Sequence, residues 1–574
     1  MAPLPGLLLA GMGYHRRWVS EDAFIGFRVV RHVLAGYGPV FNLGERVEVY
    51  TSPLWIALLA AWQALGRPVE VGSVAFGLLL SCAGLVGAQA GAWRLAERLH
   101  EARGGSGPDA ADVRLALPLG AVVFAALPVA WDFTTSGLET GLAIAWLGGV
   151  FWLLAGAREM TSSRARVAAF AIGSGPLIRP DCGLFSVGFG CALLVIERYA
   201  AGRRLTAWRC GELGVIAAAL PLGYQVFRMG YFAALVPNTA LAKEAGLAYW
   251  SQGWRYTLDF IGTYALWLPL LVVTVFVVAL VRSARRGGHR VAVALVLAPI
   301  LSGLAHWLYV TRVGGDFMHG RLLLLSLFAV LLPLATVIVP VAGLVGWRRA
   351  ALAGVAAWAI VSALWLRVPY PGTVGPWLIA DERGFSVHYF ETPNPVRIED
   401  YARHPALIQF SRRLLEFNRA VTLTQQEDLS FIVTVPLATS APSSIRLVLG
   451  LANIGMLGYL AGPSVHVVDR LGLADPIGAR LQLTVRDRPG HEKWLPEAWV
   501  LARFADPQAA VTLFPGRREA ARALGCGDLA LLLRAIGAPL TPSRFLASIR
   551  ASWRLSRLRL PSDPAAAAQQ LCGS

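Results

Sequence analysis

Long apolar windows, separated by short polar stretches rich in arginine, dominate the first two thirds of the chain. Windows near 70–93, 115–131, 138–157, 167–183, 184–200, 213–229, 261–281, 291–309, 322–346 and 350–366 have the length and polarity of transmembrane helices. With the apolar N-terminal segment they predict about eleven crossings. Residues 3–14 are the odd member, because as a helix they rise only about 18 Å against a hydrocarbon core of ~30 Å. Met1 to Tyr14 has no charged region ahead of its apolar run, so no cleavable signal peptide is expected.

The arginines orient these crossings. Arg94, Arg98, Arg103 and Arg114 share one loop; Arg158, Arg164 and Arg166 a second; Arg203, Arg204 and Arg209 a third; Arg282, Arg285, Arg286 and Arg290 a fourth; Arg348 and Arg349 a fifth. All fall on one side, which the positive-inside rule makes cytoplasmic. The same bookkeeping requires that PLWIALLAAWQALG at 53–66 stay on one side as a juxtamembrane or re-entrant helix, in keeping with its shortness. The extracytoplasmic side then receives the Glu21–Asp22 loop, TSGLET at 135–140, RPD at 179–181, the loop from Tyr231 to about Asp259, and GGDFMHGR at 314–321. A transporter would hold its ionisable groups near mid-membrane. Here they gather at one face, unlike those of a transporter; a non-catalytic envelope transporter or glycan-binding scaffold stays the alternative to an enzyme.

After Leu366 the pattern changes. VPYPGTVGP reads as a linker, and no later window is long enough to span. Residues 367–560 predict one mixed α/β domain, with FIVTVPLA and VHVVD as strands and ALIQFSRRLLEFNRAV as an amphipathic helix. PSDPAAAAQQLCGS, at 561–574, reads as a disordered tail.

Composition sharpens the class. Of 574 residues, 56% are hydrophobic and 15% charged, outside soluble-domain usage, so the chain is read as a polytopic α-helical membrane protein. A net charge of +17 would point to nucleic acid in a soluble protein. Here the arginines serve topology, and no nucleic-acid partner is expected; the lipid bilayer is the partner. The six cysteines lack zinc-site spacing and read as packing residues, with a Cys526–Cys572 disulfide left open.

The most chemically dressed stretch is HRRWVSEDAFIGFRVVRHVLAGYGPVFNLGERVEVYTSPLW, residues 15–55. Ser20 can cap a helix whose first turn holds Glu21 and Asp22, and a capping geometry does not exclude catalysis. That helix carries Ala23, Phe27, Val30 and Leu34 on one side and Arg28, Arg31 and His32 on another, the pattern of a helix lying among lipid phosphates. Asn42, Glu45, Arg46 and Glu48 follow, either as sugar ligands or as a salt-bridged turn.

This stretch resembles the start of the terminal (β1→2) arabinofuranosyltransferases, membrane enzymes of the GT-C superfamily acting on actinobacterial cell-wall arabinan. The likeness continues through TSGLET, LIRPD, VPNTALAK, VGGDFMHGRLLL, NIGMLGYLAG, VVDRLGLADP and RPGHEKWLP. It implies a GT-C catalytic domain over 1–366, a first extracytoplasmic loop with juxtamembrane helices over about 15–66, and an extracytoplasmic C-terminal domain. It also implies a polyprenyl-phosphate-linked sugar donor and a cell-envelope glycan acceptor, handled on the outer face of the cell membrane. The family carries two aspartates where this chain has Glu21 and Asp22. Asp22, helped by Glu21, is therefore the expected acid–base centre, since an attacking hydroxyl must lose its proton to a base in reach.

A lipid-phosphate leaving group needs cationic or hydrogen-bonding partners. Arg28, Asn238, Lys243, Asp316, His319 and Arg321 are the candidates for holding the donor. The paired glycines of GGDFMHGR allow a tight turn, and Asp316 with His319 is also compatible with a divalent cation, although two ligands are a weak metal signal. Asn42, Glu45, Glu48, Glu139, His491, Glu492 and Trp494 are the candidates for binding substrate, with Trp499 a second sugar-stacking surface. Arg179 and Asp181 read as a structural pair.

Overall fold

The computed structural model describes residues 4–101, 114–156, 160–340, 346–424, 431–508 and 514–573. Its contacts divide the chain into two compact units. The first comprises Met1–Trp18, Ser73–Leu222 and Tyr249–Val387, and the second Val19–Gly72, Gly223–Ala248 and His388–Ser574.

Five helices among the described residues are long and apolar enough to cross a membrane: Val69–His100, Pro180–Tyr199, Ala207–Phe232, Trp267–Arg286 and Arg290–Val313. Several other apolar windows are broken. Over 115–131 the chain forms strand β1 (Arg114–Leu117), then the short helices Leu119–Ala125 and Pro128–Phe133, so the predicted crossing is not one helix. Pro118 and Pro128 interrupt it, each lacking the N–H that would continue a helical ladder. Over 322–346 the helix Leu323–Leu331 tightens into a 3-10 turn at Leu332–Leu334 and gives way to β2 (Val337–Pro340), which pairs antiparallel with β1.

Within the first unit, helices Val69–Glu101 and Thr140–Ala155 touch main chain to main chain. A methyl group on Gly148 would lie 2.0 Å from the Gly84 carbonyl oxygen, and one on Gly84 2.3 Å from that of Ile144. Small residues at such a seam let backbones approach closely enough for dispersion contact along their length.

The second unit is built on a four-stranded sheet, β3 (Ala420–Thr424), β4 (Phe431–Pro436), β5 (Leu447–Leu451) and β6 (Val465–Asp469), in the order β4-β3-β5-β6. β3 runs antiparallel to β4, while β5 runs parallel to both β3 and β6. β3, β5 and β6 are buried throughout, as strands covered on both faces must be. The strands read from FIVTVPLA and VHVVD are β4 and β6, and the amphipathic run is the helix Pro405–Glu416.

Helix Gly455–Ala461 connects β5 to β6, and helix Glu21–Leu34 packs against it. Phe24 sits with Phe27, Tyr401 and Tyr459 at ring-centre separations of 5.3, 5.7 and 5.4 Å, an aromatic cluster under the helix. Of the basic side chains of Glu21–Leu34 expected among lipid phosphates, Arg28 and His32 are buried and only Arg31 is exposed. Pro53–Ala64, the expected non-spanning helix, forms over 12 residues. The tail expected to be disordered is helical over Pro564–Cys572, started by the Asp563 side chain capping Ala566 N–H, and Cys526 and Cys572 form a disulfide.

Candidate functional site

The two predicted catalytic acids begin the helix Glu21–Leu34 in the second unit. Ser20 caps it, its hydroxyl accepting from Ala23 N–H at 3.3 Å, which places both acids in the first turn. Their environments differ. The Glu21 carboxylate accepts hydrogen bonds from the main-chain N–H groups of Gly455 and Met456, where the helix Gly455–Ala461 starts. The approach is so close that a methyl group on Gly455 would meet the Glu21 carbonyl oxygen at 2.0 Å. Asp22 is half-buried beside it.

Arg28 was expected to hold a phosphate, and the structure gives it another task. Its guanidinium is enclosed and donates to the carbonyls of Phe41 (2.7 Å), Gly458, Gly462 (3.0 Å) and Val465 (2.7 Å). It clamps the helix Glu21–Leu34 to the β5–β6 connection, and burial, with Arg31 nearby, pulls its pKa down to about 9. Asn238 is likewise occupied: its amide donates to the carbonyls of Gly472, Leu473 and Asp475 at 2.9–3.1 Å, and its oxygen accepts from Arg480 at 3.2 Å. Lys243 is half-buried, with its side chain passing beside Gly490.

The backbone of the loop after the helix pairs Asn42 with Glu45, but among the described residues its side chains form no salt bridge with one another; each reaches to other elements. Asn42 exchanges two hydrogen bonds with the Val467 main chain, 2.8 and 2.9 Å, extending the edge of β6. Glu45 pairs with Arg503 at 2.6 Å and lies 3.4 Å from His466; burial raises the Glu45 pKa and lowers that of His466. Arg46 donates to the carbonyls of Ala535 and Ala538 at the end of helix Gly527–Gly537. Glu48 pairs with Arg228 at 2.6 Å and accepts from Tyr224, burial raising its pKa.

In the RPGHEKWLP run, Glu492 accepts from Arg486 at 3.0 Å, His491 lies in the turn beside it, and Lys493 pairs with Glu244 at 2.6 Å. Trp494 is 40% exposed, but the Arg470 guanidinium lies 4.0 Å over its ring. Trp499 is fully buried and donates to Ser562 O, so it is a core residue and not a sugar platform.

The remaining candidates lie in the first unit. Asp181 takes both the Arg179 guanidinium (2.8 Å) and His306 (3.1 Å), Arg179 reaches Glu139 at 2.8 Å, and Arg321 lies 3.6 Å from Glu139 and 3.3 Å from Asp316. The expected Arg179–Asp181 pair is thus the middle of a longer chain of ions that includes Glu139 and Arg321. Gly314 and Gly315, at φ of 98° and 76°, turn the backbone into this region.

His319 belongs to a second group. Its Nδ1 lies 2.5 Å from the Asp259 carboxylate, and Tyr370 donates to the same oxygen at 2.8 Å. It also lines a cavity of about 200 Å³ whose wall includes Arg16, Trp18, Asp132, Tyr264 and Arg383. Asp316 and His319 turn to different partners, and no group of three or more His, Cys, Asp or Glu able to hold a metal ion occurs among the described residues. Asp259, Tyr370 and the Arg16–Asp132 pair (2.7 and 3.0 Å) were missed in the sequence. Asp259 offered one signal, a lone acid within an otherwise acid-free helix, Trp250–Thr263.

Comparison with known proteins places these features in a lineage. Residues 417–570 match the AftB family C-terminal domain. A terminal β-(1→2)-arabinofuranosyltransferase of Mycobacterium tuberculosis is 34% identical, over 97% of this chain and 94% of that protein. One of the same description from Corynebacterium glutamicum is 31% identical, over 97% of this chain and 85% of that protein. No solved structure matches the chain.

Proposed function

Since the chain belongs to the terminal β-(1→2)-arabinofuranosyltransferase family, we propose that it is a membrane glycosyltransferase of GT-C type. It moves arabinofuranose from a polyprenyl-phosphate donor to a cell-wall arabinan or related glycan on the extracytoplasmic face of the cell membrane. The observation that carries this reading is a relationship to two such transferases that runs through 97% of the chain and so includes both units. The five long apolar helices support a membrane site, where a lipid-linked sugar can present its anomeric carbon. The disulfide in the second unit supports an oxidising, extracytoplasmic location for that unit.

In the proposed mechanism Asp22 is the carboxylate that takes the proton of the attacking hydroxyl. Glu21 holds position: its carboxylate is bound by the amides of Gly455 and Met456, which fixes the first turn on which Asp22 rides. Lys243 remains the proposed donor-phosphate contact, while Arg28 and Asn238 shape the second unit and Asp316 and Arg321 belong to the chain of ions in the first.

The test is transfer by purified full-length protein from synthetic polyprenyl-phosphate arabinofuranose to an arabinan-like acceptor. Wild type should transfer, and Asp22→Ala should lose at least about 100-fold in kcat with a wild-type melting profile. Unchanged transfer by Asp22→Ala overturns the assignment of Asp22, and no transfer by wild type overturns the choice of substrates.

A further inference from the structure

The cavity in the first unit has a chemistry that the acids of the second unit do not supply. His319 is 5% exposed, and its Nδ1 is bound by Asp259, whose carboxylate also accepts from the Tyr370 hydroxyl. A carboxylate accepts only, so it fixes a ring proton on Nδ1 and leaves Nε2 as the second hydrogen-bonding atom of the ring, an acceptor when the ring carries a single proton. That atom is buried and has no hydrogen-bond partner among the described residues. An orphaned acceptor on a ring held by two other side chains is a position built for a donor from outside the chain.

The rest of the wall says what kind of donor. The arginines there are already engaged. Arg16 makes two bonds to Asp132, Arg383 donates to Arg16 O at 2.8 Å, and Arg367 donates to Ser362 O, Ala363 O and Leu366 O. A phosphate would find these donors already directed at Asp132 and at main-chain carbonyls, whereas a neutral polyol can donate to His319 and to the Asp132 carboxylate. Trp18 and Tyr264 add aromatic surface. At about 200 Å³ the space is below the roughly 300–1,000 Å³ typical of drug-sized ligands, which suits one sugar ring and excludes a polyprenyl tail.

We propose that this cavity is a furanose subsite in which His319 Nε2 accepts a hydrogen bond from a sugar hydroxyl, with Asp259 and Tyr370 as positioning residues. The proposal rests on the reading of the chain as a furanosyltransferase. The sugar has two sources, the donor's arabinofuranose or the terminal residue of the acceptor, and the kinetics separate them.

The experiment measures KM for donor and acceptor independently in full-length His319→Ala, Asp259→Asn and Tyr370→Phe. Loss of one directed hydrogen bond should raise one KM about tenfold in His319→Ala and about threefold in Tyr370→Phe, the other KM staying within about twofold. The substrate whose KM rises is the source. Folded variants with both KM values at wild-type level overturn the proposal.

A second readout does not depend on turnover or on any variant folding. Carbethoxylation of His319 by diethyl pyrocarbonate in wild type, mapped by peptide mass spectrometry, should be slowed by methyl arabinofuranoside and not by inorganic phosphate. Labelling slowed by phosphate alone, or by neither, overturns the furanose assignment. If wild type does not transfer, the substrate reading fails, yet protection of His319 by the furanoside still upholds the subsite.

Discussion

Replacing Arg28 separates its structural role from the phosphate-binding role that its place in the sequence suggests. Its guanidinium satisfies four main-chain carbonyls, from Phe41, Gly458, Gly462 and Val465, in a site that is 2% exposed. Arg28→Met removes every donor while keeping an apolar stem, and each buried carbonyl left unpaired costs about 1 kcal/mol at the low end of the known range. The variant should therefore lose about 4 kcal/mol, most of the margin of an ordinary domain. Arg28→Lys retains a charge but only three donors without the planar fork, and should lose about 2 kcal/mol. Urea unfolding of the detergent-solubilised protein gives the size of the loss, and hydrogen exchange locates it, since protection should fall first over residues 455–469. An Arg28→Met protein within about 1 kcal/mol of wild type, with a raised KM for the lipid donor, would refute the clamp and restore the phosphate role.

Two further outcomes follow from particular contacts. Glu21→Asp draws the carboxylate back by one methylene from the amides of Gly455 and Met456; it should cost about 1–2 kcal/mol in urea unfolding while kcat stays within a few-fold, because Asp22 is untouched. The second concerns pH. His32 is held near a pKa of about 4 by burial, from 6.5, so its contribution is present above pH 6.5 and about 3 kcal/mol is lost as pH falls to 4. Asp469 is pushed up to about 7 by burial, from 3.8, so its contribution is present below pH 4 and about 4 kcal/mol is lost as pH rises through 7. The stability difference between wild type and His32→Phe should change with pH in the first sense and that for Asp469→Asn in the second; differences flat from pH 4 to 7 would contradict both.

Legibility in the sequence followed the range of the forces involved. The helix Pro405–Glu416 and strands β4 and β6 could be read because periodicity reports which face is buried. The windows at 115–131 and 322–346 misled because apolar composition does not distinguish a spanning helix from short buried segments broken at Pro118, Pro128 and Pro333. The terminal helix Pro564–Cys572 was hidden by an alanine-rich, low-complexity look, although Asp563 before Pro564 is a good helix start.

At the site, GGDFMHGR pointed to His319, but its partner Asp259 stands 60 residues away and Tyr370 another 51 beyond His319. No local pattern links them. Arg28 shows the converse: a cation after two acids looked like chemistry, and only the folded connection between β5 and β6 reveals the carbonyls that claim it.

The seam between helices Val69–Glu101 and Thr140–Ala155 has a mechanical consequence. Where Gly84 meets Gly148 and Ile144, backbone lies directly on backbone, with no side chains between them to change rotamer and absorb a displacement. Such a pair neither slides nor swivels in small steps; it travels as a single stiff strut. Any rearrangement within the first unit must therefore be taken up elsewhere, along contacts made by flexible side chains, with these two helices serving as the fixed frame against which that yielding is measured.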